Sequence, residues 1–133
     1  MEDRRHFLLS LSALAAAPRL FEEESPDPVR VAGVIALPAP FTNLSATIVE
    51  VYCAPGQPST AHKHPGFVLG YVVEGTFRFQ MAGDTARILR AGDTFYEPPA
   101  GTHLVAESTS PTRPARVLAI VIAETGKLIV EPA

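Results

Sequence analysis

A chain of 133 residues, 47% apolar and only 19% charged, is long enough and apolar enough to bury one domain's core. Its formal net charge of -3 offers no electrostatic attraction for nucleic acid or an anionic membrane, so neither is expected as a partner. The single cysteine, Cys53, excludes an intrachain disulfide framework, and thirteen prolines with nine glycines favour turns over long helices.

In chain order, Arg4-Arg5-His6-Phe7-Leu8-Leu9 comes first, followed by Ser10-Leu11-Ser12-Ala13-Leu14-Ala15-Ala16-Ala17. A basic pair, an apolar stretch and then small residues are the parts of an export signal. Adjacent arginines ahead of x-Phe-Leu resemble the bacterial twin-arginine leader, a route that carries folded and often metal-loaded proteins. Residues 1–17 are therefore expected to be a leader, with cleavage after Ala15 avoiding Pro18, and the product to be periplasmic or secreted. The apolar stretch is too short for a stable membrane anchor. The same stretch also carries the spacing of an amphipathic helix, with Phe7, Leu8, Leu11 and Leu14 on one face. Residues 18–28 contain Glu22-Glu23-Glu24-Ser25-Pro26-Asp27-Pro28 and read as a solvated linker.

From Val29 onward the pattern is strand. Residues 29–37 and 44–53 are rich in β-branched side chains and bounded by prolines. Strands over 67–74 and 76–82 follow, joined by a tight turn at Glu74-Gly75, then 85–89, 94–97 and 104–107. A loop over 108–114 leads to the most apolar strand, 115–123, and a last strand is expected over 127–130. Many short strands without a helical period predict an all-β domain over residues 29–133, an antiparallel sandwich or barrel. Alternation puts Val68, Gly70 and Val72 on one face and Phe67, Leu69, Tyr71 and Val73 on the other. Both faces are apolar, so both need cover, the second from the other sheet's rim, the N-terminal strand or another subunit, of which a homodimer is the expectation. Phe77, Phe79 and Met81 should face the barrel, and Cys53 should be a small core residue.

Outside the leader there are three histidines, His62, His64 and His103. Neutral imidazole suits zinc, iron, copper and nickel. On an extended strand residues i and i+2 share a face, so His62-Lys63-His64 can aim two nitrogens at one ion. His103, from a neighbouring strand, would supply a third and leave positions open for water or substrate.

The segments holding these histidines, in this order, resemble the two motifs of the cupin superfamily. Gly56, His62, His64 and Gly75 fall on the first motif; Gly92, Pro98 and His103 fall on the second. The resemblance covers about residues 44–123 and implies an antiparallel double-stranded β-helix, or jelly-roll barrel, with a metal at His62, His64 and His103. The sequence departs from the motifs in three places. The glutamate slot holds Val68, or Leu69 in the alternative spacing; the asparagine slot holds Glu107; and the Pro-x-Gly reads Pro98-Pro99-Ala100-Gly101. The expected site is thus three histidines without a carboxylate, Glu97 and then Glu74 being the acids nearest to hand.

Three neutral ligands leave a divalent ion its whole charge, so an anionic small-molecule ligand is expected. Iron is the first choice of metal, with zinc, manganese, nickel and copper also compatible. Three-histidine cupin dioxygenases resemble this arrangement, which implies an oxidoreductase acting on a small enolisable or aromatic molecule. A non-catalytic binding or sensing module and a metal-dependent isomerase or lyase stay open, because fold alone does not choose among them. The sequence has no Gly-x-Ser-x-Gly elbow, phosphate loop, Cys-x-x-Cys or dinucleotide fingerprint.

Overall fold

A computed structural model describes residues 27–133; the expected leader and nearly all of the linker lie outside the described residues. Ten strands are present and no helix among the described residues: β1 (Val29–Ala36), β2 (Leu44–Cys53), β3 (His62–Lys63), β4 (Phe67–Glu74), β5 (Thr76–Met81), β6 (Arg87–Arg90), β7 (Thr94–Glu97), β8 (Thr102–Ser108), β9 (Ala115–Glu124) and β10 (Glu131–Pro132). They form two five-stranded antiparallel sheets, ordered β1-β2-β9-β4-β7 and β10-β3-β8-β5-β6. This is the double-stranded β-helix that the motifs imply.

The alternation read from sequence accounts for the core. On β4, Val68 and Val72 are fully buried, while Leu69, Tyr71 and Val73 are exposed. On β5, Phe77, Phe79 and Met81 are buried and alternate with Thr76, Arg78 and Gln80. Phe95 of β7 closes an aromatic cluster, with its ring 5.5 Å from Phe77 and 4.8 Å from Phe79. Its cross-strand partner is Gly70, where an added Cβ would stand 2.1 Å from the Phe95 ring. Glycine is needed there for room, whereas Gly75, at φ +79° between β4 and β5, is needed for conformation. Cys53 is buried, as expected, with its thiol donating to the Ala106 carbonyl at 3.6 Å. Burial first, and Glu107 second, push that thiol up to about 11, which leaves it unreactive.

Two expectations need correction. Residues 127–130 form no strand: Leu128 is 80% exposed, and the Ile129 carbonyl accepts a bond from a histidine ring instead of entering a ladder. The last pairing comes later, where β10 meets β3 with Pro132 opposite His62. The strand expected over 104–107 begins at Thr102, which brings His103 inside β8. On the outer face of the first sheet, register aligns Ile48, Ile120, Leu69 and Tyr96 in one row across four strands.

Candidate metal centre

The second sheet carries His62 and His103, with His64 just past the end of β3. His62 lies on β3, directly opposite His103 on β8, and His64 follows two residues after His62. The His62 ring is 4.9 Å, centroid to centroid, from both His64 and His103. The convergence expected from sequence is present.

A fourth side chain joins them from the first sheet. Glu97, the last residue of β7, is only 4% exposed, and one ligand atom from each of His62, His64, Glu97 and His103 lies within 4.8 Å of all the others. The expectation of a site without a carboxylate is thereby corrected. The reason lies in the register: Glu97 is the cross-strand partner of Val68, the residue occupying the glutamate slot of the motif. Directly opposed residues on neighbouring antiparallel strands share a face, with Cβ atoms about 4.5–5.5 Å apart. The acid has moved sideways from β4 to β7. Glu74, the other acid considered, is exposed and sits 4.0 Å from Arg116.

Glu97 Oε1 stands 2.9 Å from His103 Nδ1 and 3.5 Å from His64 Nε2. The shorter contact is not aligned as a hydrogen bond, for Oε1 and both ring nitrogens of His103 are buried without a hydrogen-bond partner. Leaving such a group unpaired costs about 1–3 kcal/mol, and a cation held between Glu97 Oε1 and one nitrogen of the His103 ring would relieve it. Three neutral imidazoles and a carboxylate also form a donor set matched to first-row divalent metals.

Backbone carbonyls fix two of the rings. His62 Nδ1 donates to the Thr60 carbonyl at 3.1 Å and His64 Nδ1 to the Ile129 carbonyl at 2.5 Å. A neutral ring that donates through Nδ1 keeps its Nε2 lone pair for the centre. Burial lowers the His62 pKa, with the Thr60 carbonyl partly offsetting it. Burial would also lower His64, but Glu97 and the Ile129 carbonyl outweigh it and raise the pKa. For Glu97 itself, burial alone would raise the carboxyl; the His103 and His64 rings prevail and hold it at about 2.

Glu107, noted in the sequence only as a departure from the motif, ties down the segment before His62. Its Oε2 accepts the Ser59 N–H at 2.9 Å, and the Ser59 hydroxyl in turn accepts the Ala106 N–H at 3.0 Å. Arg78 approaches the other carboxylate oxygen at 3.6 Å. The roles of Ser59 and the Ile129 carbonyl have no signature in a sequence, since contacts to the backbone are indifferent to side-chain identity.

The cluster opens onto a cavity of about 660 Å³ between the sheets. Val49, Val51, Val117 and Ala119 wall it from the first sheet, and Phe77 and Ala106 from the second. Tyr96 takes no part, because it is 51% exposed on the outer face beside Phe67.

The sequence profile of the cupin domain matches residues 49–121, more than half of the chain. The chain belongs to the cupin family. Among solved structures, this cupin resembles the DMSP lyase DddQ from Ruegeria pomeroyi at 22% identity and a TM-score of 0.58, over 66% of this chain and 43% of that one. The match thus spans less than half of the lyase. A cupin-like protein from Thermotoga maritima matches at 24% identity and a TM-score of 0.58, over 79% and 74% of the two chains. A conserved protein with a double-stranded β-helix domain from Klebsiella pneumoniae matches at 21% and 0.56, over 85% and 93%. At these identities the likeness to solved structures establishes the fold. No curated protein matches the sequence.

Proposed function

We propose that this cupin holds one divalent transition ion on His62, His64, His103 and Glu97 and acts as a metal-dependent oxidoreductase of the dioxygenase type. Its substrate would be a small enolisable or aromatic molecule, and its place, given the leader-like N terminus, the periplasm or beyond. The observation that carries the reading is the buried approach of Glu97 Oε1 to His103 Nδ1, neither of them hydrogen-bonded, within 4.8 Å of a ring nitrogen from each of two more histidines. Iron remains the first choice, with zinc, manganese, nickel and copper compatible with the same donors.

A bound ion would supply Lewis acidity and open positions for an oxygen-donor substrate. The protein's part is to hold the donors, exclude water and set the charge. Glu97 cancels half of the ion's double charge, so one further negative charge from substrate would neutralise the centre. The test is elemental analysis of the protein from its native host, followed by oxygen uptake on a panel of diketones, catechols and flavonoids. Uptake abolished by His62→Ala is the expected result; an iron-loaded protein that turns over none of them overturns the proposal.

A second reading, a non-catalytic module that binds or senses a small molecule, is favoured by the cavity's sparse chemistry. Among the described residues, its only titratable lining side chain beyond the four cluster residues is Glu131. Ligand retained unchanged by mass spectrometry would support that reading, and product formed without oxygen uptake would favour an isomerase or lyase. We further propose a homodimer that covers the apolar row containing Leu69 and Tyr96.

A further inference from the structure

The cavity discriminates among ligands through what its walls lack. Among the described residues no lysine or arginine lines it, and the one acidic side chain outside the His/Glu cluster, Glu131, would repel a second anion. A dicarboxylate would bring two negative charges to a centre that needs one. Its second charge would lie against valine and alanine with no counter-ion, stripped of water without compensation. The walls instead repeat small and branched apolar side chains, with Val117, Ala119 and Val121 on successive inward positions of β9. Val117 is 3% exposed and Val121 2%, so this wall belongs to the interior of the barrel. At about 660 Å³ the space falls within the range of about 300–1,000 Å³ that holds drug-sized ligands, and a two-carbon acid would leave most of it empty.

We propose that the cavity takes a single-headed amphiphile: one monoanionic, bidentate oxygen group directed at the His/Glu cluster, and an uncharged aliphatic or aryl body along the wall of β2 and β9. The head rests on the metal reading given above, whereas the body rests on the wall alone. Ala119 and Ala106 are specificity-determining, because their small side chains leave the depth that the body fills.

The test uses the full chain and two series of straight-chain probes. Hydroxamic acids from acetyl to octanoyl, titrated into zinc-loaded protein by calorimetry, report head and body together. n-Alkanols from butanol to octanol, added to metal-free protein in a thermal-shift assay, report the wall alone. The expected result is roughly a fourfold gain in hydroxamate affinity per methylene, and alkanol shifts that rise with length. Ala119→Phe should flatten both series; should that variant fail to fold, Ala106→Leu serves. Flat series in the unaltered protein overturn the inference, as does oxalate binding more tightly than octanohydroxamate. A rising alkanol series with hydroxamates no better than alkanols supports the wall assignment and sinks the metal reading.

Discussion

Replacing Glu97 by glutamine should remove a definite part of the acid sensitivity of the metal-free protein. Folding carries this carboxyl from its ordinary 4.5 down to about 2. Two and a half pH units at about 1.4 kcal/mol each amount to about 3 kcal/mol. The folded value is the lower one, so the stabilisation is present above the unfolded value and withdrawn as pH falls towards the folded one. Between pH 5 and pH 3 about 2 kcal/mol of it should disappear. The raised pKa of His64 expresses the same contact from the other side and is not counted again. Urea unfolding at the two pH values, with chelator present, measures the loss for wild type and for Glu97→Gln; other carboxylates titrate in both proteins and cancel in the difference. The wild type should lose about 2 kcal/mol more. Equal losses would refute the view that Glu97 meets the imidazoles as a buried carboxylate.

Four further outcomes are expected. Glu97→Val should weaken zinc binding at least 100-fold by calorimetry, and adding Val68→Glu should recover most of the loss, since the two positions face each other across one rung. Saturation with zinc at 100 times its dissociation constant should stabilise the fold by about 3 kcal/mol, reversed by chelator, as read from thermal melts. Ala100→Gly should stabilise by about 0.5–1 kcal/mol in denaturant titrations, because Ala100 sits at φ +62° in the turn closed by Gly101 N–H to Pro98 carbonyl. Leu69→Lys should convert a dimer to monomers in sedimentation velocity without altering metal affinity; a wild type already monomeric at high concentration refutes the dimer.

Much of the barrel was legible because period-2 alternation is a local signal. β2, β4 and β7 have the ends expected from sequence, and the inward rows on β4 and β5 follow the pattern residue by residue. The expected last strand failed because Ile129 and Val130 carry strand-like side chains, while the partner that decides their backbone, His64, lies some 65 residues away. The histidine trio was legible because its ring nitrogens come from a spaced motif. Glu97 was named only as a candidate, since its role depends on which residue of β4 it opposes, and register between strands is a property of the assembled sheet. Glu107 was equally visible in the sequence, yet its partner is the backbone of Ser59, which no composition records.

The rung shared by Val68 and Glu97 has an implication for how such centres change over time. Either position can aim an acid at the same point, but acids at both would crowd like charges within about 5 Å beside an apolar cavity, cancelling an ion's charge at the cost of burying a second anion. The two sites are therefore alternatives rather than additions. A search for metal centres keyed only to spacing along the chain would pass over an acid delivered from the other side of the ladder, as Glu97 is here.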